Sequence, residues 1–465
     1  MRAPMHRWKG GFMKLLGKTV VAGVVVFALL QAVRPAIPAR QAVAEVRAPS
    51  DVKNILDKDC YSCHSDERRL SWFDQIVPAY WLVRHDILTA REHLNFSTLG
   101  AKPAAAQKAA LYEAVNMIQL GAMPLPSFLK LHPDAQVKAE ELADLKAYLA
   151  PWSSVPNQPP GAPSGSDSTQ IPAPVLLSTV QPEFDGFPFD PNFESWKLLS
   201  TTDRGDNNTF RFILGNDIAV KAAQSGAISP WPDGTRFAKV AWQQETGPDG
   251  LVRPGKFVQV ELMVKDATRY KNKEGWGWGR WRSLDLKPYG DGPAFVNECT
   301  GCHQPMRAND YVYTLPITKA HSAREGAVNN KAAELPNLPY QPLGWGPIMM
   351  YVEPKTHTTA TLYGNDAAVR TVTTAPRGEG KAPAYPTGAV LALVTWTQRD
   401  DPHWFGGRIP DALESVEFVQ IATAGQRNGY RRFAGQNLGE ERPAESAAEL
   451  RTSFVLGLSP ARLPE

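Results

Sequence analysis

Hydrophobic and polar positions divide the chain into two regimes. Between about residues 50 and 150, apolar residues recur at helical spacing, as in "QKAALYEAVNMIQL" and "AEELADLKAYL". Beyond residue 175 the runs shorten. "FRFIL", "TRFAKVAW" and "KFVQVELMV" are apolar or alternating, are broken by Gly, Pro and Asp, and read as strands. Between the regimes lies "PWSSVPNQPPGAPSGSDSTQIPAP", a Pro/Ser/Gly tract with no apolar period to bury, which predicts a linker over 151–175. At the head of the chain, Arg2, Arg7, Lys9, Lys14 and Lys18 precede "VVAGVVVFALL", and no acidic residue occurs before Glu45. This is a positive n-region with a short apolar stretch. "AVA" at 42–44 offers a cleavage site but lies far from the apolar run, so a signal peptide and an uncleaved membrane anchor both stand for residues 1–45. Either one exports the bulk of the chain, and an anchor would hold the basic end in the cytoplasm.

The strand-rich half repeats. "FRFILGNDIAVKA" at 210–222 matches "TATLYGNDAAVRT" at 359–371, "PDGTRFAKVAW" matches "PTGAVLALVTW" at 386–396, and "FVQV" at 257–260 matches "FVQI" at 418–421. Three ordered matches argue for duplication. In both copies Asn or Asp of G-N-D is placed to cap a helix. Alignment of Gly234 with Gly388 sets Lys239 opposite Leu393 and Arg211 opposite Ala360. A leucine at that position predicts that Lys239 points into the protein. Desolvation there would depress its pKa and make the amine a better nucleophile. The competing reading is a lysine that snorkels to water from a domain edge.

A length of 465 residues calls for several domains, and a net charge of +3 gives no basic excess for a nucleic-acid partner. The four cysteines add the chemistry. Cys60, Cys63, Cys299 and Cys302 all fall in "CYSCH" and "CTGCH", two C-x-x-C-H motifs of the kind that attach c-type haem. The paired thiols at this spacing form the thioethers, and His64 and His303 are placed as proximal iron ligands. For the first haem the sixth-ligand candidates are His85, His93, Met117, Met123 and His132. Met123, on the rigid turn "LGAMPLPSF", is the favoured one. For the second, no comparable turn follows. His321, His357, His403 and Met306 are the candidates, and an open distal position is expected.

Residues of about 50–150, from "VKNILDKDCYSCHS" through "WFDQIVPAYWLVRHDILTAREHLNFS" to "GAMPLPSFLKLHPDAQV", resemble an exported haem-binding domain family. Residues of about 180–320 carry "WPDGTRFAKVAW", "FVQVELMVKD", "EGWGWGRW" and "ECTGCHQPMRANDYVYTLP", and resemble the cytochrome P-460 family. The second resemblance implies a five-coordinate c-type haem whose porphyrin is cross-linked to a strand lysine. It marks Lys239 as that lysine, His303 as the proximal ligand, and Arg211 and Asp266 as charged distal residues. It also implies oxidation of hydroxylamine, whereas relatives without the lysine bind gases.

The expected architecture is therefore multidomain α + β. A signal or anchor (1–45), a helical c-type haem domain (46–150) and a linker (151–175) precede a β-rich cytochrome P-460-like domain (176–320) and a haem-free copy of it (321–465). The expected cofactors are two covalent c-type haems. The expected activity is oxidation of hydroxylamine or a related small nitrogen compound at the second haem. Electrons would pass through the first haem to a soluble or membrane acceptor, in the bacterial periplasm. A nitric oxide or carbon monoxide sensor or scavenger, and a plain dihaem electron carrier, are the alternatives. The copy is expected to act as a built-in partner covering the sheet edge or haem face.

Overall fold

The structure, a computed structural model, describes residues 8–465 apart from 40, 42, 68, 154–175, 321, 375–381, 436–437, 462 and 465. Most of the expected linker thus lies outside the described residues. The chain forms two compact units, Met1–Leu149 and Ala150–Glu465.

The first unit is helical: α1 (Trp8–Leu30), α2 (Ser50–Asp59), α3 (Tyr61–His64), α4 (Ala79–His93), α5 (Phe96–Leu99), α6 (Ala104–Gln119), α7 (Pro126–Leu129) and α8 (Ala139–Ser153). Helix α1 exposes Val20, Val21, Val24 and Val25. Among the described residues no helix is long and apolar enough to cross a membrane.

After α1 the chain runs as an extended strap along α4. The strap contains Pro35 and Pro38, and extended Pro-rich chain leaves its carbonyls without internal partners. Helix α4 supplies the donors. Tyr80 Oη donates to Pro35 O (2.5 Å), Trp81 Nε1 to Val33 O (2.8 Å), Arg84 Nε to Ala36 O (3.1 Å), and Arg91 to Pro38 O. Gln31 pairs with both backbone groups of Val77, at 3.1 and 3.0 Å. Ile37 is buried with Val77, Tyr80 and Ile87, against Cys63. The strap is therefore part of the wall beside the first cysteine motif.

The second unit repeats one series of elements. The series β1 (Lys197–Arg204), β2 (Thr209–Gly215), α9 (Asp217–Ser225), β3 (Arg236–Thr246), β4 (Val252–Lys265), β5 (Trp276–Arg282), β6 (Lys287–Pro288) and α10 (Pro293–His303) comes first. It is followed by β7 (Gly346–Glu353), β8 (Thr358–Gly364), α11 (Asp366–Thr374), β9 (Val390–Asp400), β10 (Gly407–Gln420), β11 (Gly429–Ala434), β12 (Gly439–Glu441) and α12 (Glu445–Gly457). The G-N-D motif explains itself in hydrogen bonds. Asn216 Oδ1 caps α9 by accepting from Ala219 N (3.0 Å), while its Nδ2 donates to Gly234 O (2.9 Å). Asn365 repeats both bonds to Ala368 N and Gly388 O, each at 3.1 Å. Gly234 and Gly388 take φ of 86° and 84°, a turn that only glycine enters without strain.

The sequence reading separates 176–320 from 321–465, but the structure joins their strands in one closed sheet. The order β1-β2-β3-β4-β7-β8-β9-β10 returns to β1, with seams at Val252↔Val352 and at Asp203↔Arg408 and Arg204↔Gly407. The result is an eight-stranded barrel to which both halves contribute equally, and closure leaves those strands no free edge. Its interior is a single core that includes both Trp242 and its counterpart Trp396, with Val240, Val260, Val394 and Val416. Each half also has an outer apolar layer, with Phe237, Met263, Trp276 and Trp278 in the first and Leu391, Leu393, Val419 and Val455 in the second.

Because Ile37 completes the wall of the first unit, Ile37→Ala is expected to destabilise that unit by about 2–4 kcal/mol, as large-to-small core changes do. Thermal unfolding followed by helical circular dichroism checks this, and an unchanged transition would mean that the strap is only laid on the surface.

Candidate functional site

Alternation in β3 puts Ala238, Val240 and Trp242 into the barrel and Phe237, Lys239 and Ala241 on the outside. Lys239 does point into protein, but on the outer face of the barrel rather than in its interior. Its register partners are Ile213 on β2 and Glu261 on β4. Arg211, two residues before Ile213, shares the face, and Arg280 on β5 stands opposite Glu261.

These side chains form one charge cluster. Lys239 Nζ pairs with Glu261 Oε2, and Arg280 Nε donates to Glu261 Oε1 at 2.9 Å. Gln259 Nε2 donates to the same oxygen at 2.5 Å, and Arg280 Nη1 reaches Glu298 Oε1 at 2.8 Å. Only 27% of the Lys239 side chain and 17% of that of Glu261 remain exposed. Burial raises the Glu261 carboxyl, but the adjoining Lys239 and Arg280 outweigh it and pull the group down to about 2. Lys239 fares differently. Burial lowers it, Glu261 raises it, and Arg211 and Arg280 lower it further, to about 8. Glu261 is shared between two cations; with Glu298 as a second partner Arg280 is raised above its ordinary value, whereas Lys239 is left under-compensated. Arg211 is lowered to about 10 by burial and by Arg204, and its Nε is buried without a hydrogen-bond partner.

The second cysteine motif sits against this cluster. Helix α10 ends with Cys299, Cys302 and His303, and the charges of Lys239, Glu261 and Arg280 are felt at His303. His303 Nδ1 donates to Tyr311 O at 2.6 Å, which leaves Nε2 available to a ligand. Trp278 lies 4.4 Å from the imidazole, ring to ring, and Tyr313 lies 5.2 Å away. Burial pushes His303 down to about 4, so it is neutral and ready to coordinate. The first motif has the same arrangement: His64 Nδ1 donates to Leu94 O at 3.0 Å, and burial lowers its pKa. Cys60 and Cys299 are both pushed up to about 12, first by burial, and so remain protonated. Cys60 opens on an apolar cleft between α2, α6 and α8, lined by Val52, Leu56, Val115, Ile118 and Leu149. Among the described residues no group of three or more His, Cys, Asp or Glu could hold a metal ion by itself. Two thiols, one neutral imidazole with a free Nε2, an apolar wall, and buried donors at Arg211 Nε and Trp278 Nε1 fit a haem in the second unit. The same imidazole arrangement and the apolar cleft fit one in the first.

The other candidates separate. Asp266 is not brought to the cluster: its Oδ1 accepts from Thr268 N (3.1 Å) and Arg269 N (2.8 Å), fixing the turn after β4. The carboxylate that meets Lys239 is Glu261, which the sequence reading did not single out and which the β3–β4 register sets directly opposite. His132 is engaged at both nitrogens, with Phe128 O at 3.2 Å and Asp74 Oδ2 at 3.1 Å. His85 and His93 are exposed on α4. Met123 is half-buried on the turn after α6, its N–H donating to Met117 O at 3.1 Å. In the second unit His357 is exposed on a turn, and Met306 is buried just after α10. His321 lies outside the described residues.

The second half reaches the half that carries Cys299, Cys302 and His303 through the β9–β10 turn. His403 Nδ1 donates to Tyr313 O at 2.6 Å, and Trp404 Nε1 donates to Asp206 Oδ2 at 3.3 Å. Arg204 stacks 4.3 Å over the Trp404 ring. The site's own counterpart in the second half is closed. Glu417, across from Leu393, keeps the place of Glu261. It is bound by Arg451 of α12 at 2.8 and 2.6 Å and by Tyr430 Oη at 2.5 Å.

Residues 191–314 match the family model of cytochrome P460, and residues 20–151 match that of a haem-binding domain. No curated protein matches the chain. Each of the two matches spans one Cys-x-x-Cys-His motif and its prepared imidazole, and the chain is a haem protein.

Proposed function

We propose that the protein is an exported dihaem c-type cytochrome that oxidises hydroxylamine, or a related small nitrogen compound, at the haem held by Cys299, Cys302 and His303. Cys60, Cys63, His64 and Met123 would hold the first haem, which would supply an exit for electrons to a soluble or membrane acceptor. The periplasm is the proposed compartment, with residues 1–45 as either a cleaved signal or an anchor. The observation that carries the reading is Lys239: an amine lowered to about 8, beside a carboxylate, within electrostatic reach of His303.

A bound haem supplies the one-electron chemistry at iron. The protein's part is ligation, access and charge. With a pKa of about 8, roughly a tenth of Lys239 is the neutral, nucleophilic amine at pH 7, against a negligible fraction for an ordinary lysine. That amine is the group proposed to bond to the porphyrin edge; exchanging one N–H and one porphyrin C–H for the N–C bond releases two protons and two electrons, which a peroxide would take up as water. Glu261, held near 2, is too weak a base to collect the substrate's protons, and it acts as the counter-charge of the cluster. The second half is proposed to be a haem-free copy of the cytochrome P460-like half. Its β9–β10 turn then braces the active half, as the His403 and Trp404 contacts support.

Replacing Lys239 with the leucine that the second half carries tests the function. Lys239→Leu is expected to retain both haems, change the absorption of the second, and lower hydroxylamine oxidation at least about tenfold, roughly 1.4 kcal/mol in barrier. Equal rates and equal spectra for variant and wild type would remove the enzymatic reading. Rapid carbon monoxide binding with no hydroxylamine turnover in wild type would favour gas binding.

The lowered pKa also fixes a pH dependence. Below about pH 8 the lysine is protonated both folded and unfolded, and the full cost of burying its charge is present. Between about 8 and the ordinary 10.5 the unfolded chain binds more protons, so stability rises with pH. In chain produced without haem attachment, wild type should therefore gain stability relative to Lys239→Leu across that window. Urea unfolding midpoints check this, and a constant difference would show that Lys239 titrates normally.

A further inference from the structure

Helix α10 is followed by a tight turn with two consecutive non-glycine residues in the left-handed region, Asp310 at φ 50° and Tyr311 at φ 68°. A tyrosine there is strained unless its surroundings hold it. The turn's product is the Tyr311 carbonyl, which accepts from His303 Nδ1 at 2.6 Å.

What holds the turn is the Asp310 carboxylate. Oδ1 accepts from Lys265 Nζ at 2.7 Å and from Trp276 Nε1 at 3.3 Å, and Oδ2 accepts from Trp231 N at 2.8 Å. The ammonium of Lys265 also lies 4.9 Å from the centre of the Trp276 ring. Within the turn, Asp310 N donates to Arg307 O (3.0 Å) and Tyr311 N to Met306 O (2.8 Å). Both Lys265 and Asp310 are buried.

A buried ion pair is a poor way to gain stability, because apolar residues of similar size usually do as well or better. The second half carries such an apolar residue. Lys265 N donates to Thr235 O, and at the matching place Ile421 N donates to Ala389 O. The counterpart of Lys265 is thus an isoleucine packed in the outer apolar layer. The pair is present in the half that carries the Cys-x-x-Cys-His helix and is replaced by an apolar residue in the half that does not.

We propose that Asp310, clamped by Lys265, Trp231 and Trp276, is a positioning residue that presents the Tyr311 carbonyl to His303 Nδ1 and so sets the orientation and electron donation of the iron-ligating Nε2. A firm Nδ1–H···O=C bond makes the imidazole a stronger donor and favours the oxidised metal. The inference rests on the proposed haem at His303, while the first haem, with its own Leu94 carbonyl, serves as an internal reference.

The test uses the full-length holoprotein in wild type, Asp310→Asn, Lys265→Gln and Lys265→Arg forms. Peptide mass mapping first establishes haem on Cys299 and Cys302, and spectroelectrochemical titration then follows each haem. Asp310→Asn and Lys265→Gln are expected to shift the oxidised-to-reduced ratio of the second haem at least about threefold towards the reduced form at fixed potential, leaving the first unchanged, with Lys265→Arg close to wild type. If Asp310→Asn fails to retain the second haem, Lys265→Gln decides. A second-haem potential unmoved in Lys265→Gln, or both haems moving together, would overturn the positioning role alone. Absence of haem from the Cys299–Cys302 peptide in wild type would overturn the functional reading and the role together.

Discussion

The second unit is organised around one carboxylate shared by too many cations. Glu261 faces Lys239 and Arg280 directly and lies within the field of Arg211. A buried carboxylate with two partners stays ionised, and of the two Lys239 is left under-compensated while Arg280 is held firmly protonated. Arg280 gains a second carboxylate in Glu298, and Arg211 has an orphaned Nε. Lys239 is the group that can relieve the excess by losing a proton. The lowered pKa of Lys239 is therefore a consequence of charge counting on the outer face of a barrel, and it requires no unusual backbone.

The second half shows the same frame with the problem removed. Its strands, turn glycines and asparagine caps repeat those of the first, and Glu417 stands where Glu261 stands. There Leu393 and Ala360 replace Lys239 and Arg211, and Arg451 of α12 grips Glu417 through two hydrogen bonds. Helix α12 follows β12 as α10 follows β6, so the element that carries the cysteine motif in one half carries the sealing arginine in the other. Barrel closure ties the halves together: each contributes four of the eight strands, and the shared core takes Trp242 from one and Trp396 from the other.

Much of this was legible in the chain itself. The Cys-x-x-Cys-His motifs, the duplication, and the asparagine of G-N-D as cap are local patterns, and local geometry dictates them. Alternation correctly grouped Phe237, Lys239 and Ala241, but a period of two cannot say which side of a closed sheet that face takes. Glu261 was missed because a carboxylate in an alternating strand looks solvated until its cross-strand neighbour is known. Asp266 looked like a distal acid, but one residue beyond the strand end it became a turn cap. Seams such as Val252↔Val352 join positions that no nearby pattern relates.

The central claim is that Lys239 is delivered as a nucleophile to the haem edge. Proteolysis of the purified holoprotein followed by tandem mass spectrometry tests it most directly. The account predicts a single haem-containing species joining the Cys299–Cys302 peptide to the peptide of β3 through Lys239. Recovery of the β3 peptide with an unmodified Lys239, alongside a Cys299–Cys302 peptide carrying its haem, would contradict it.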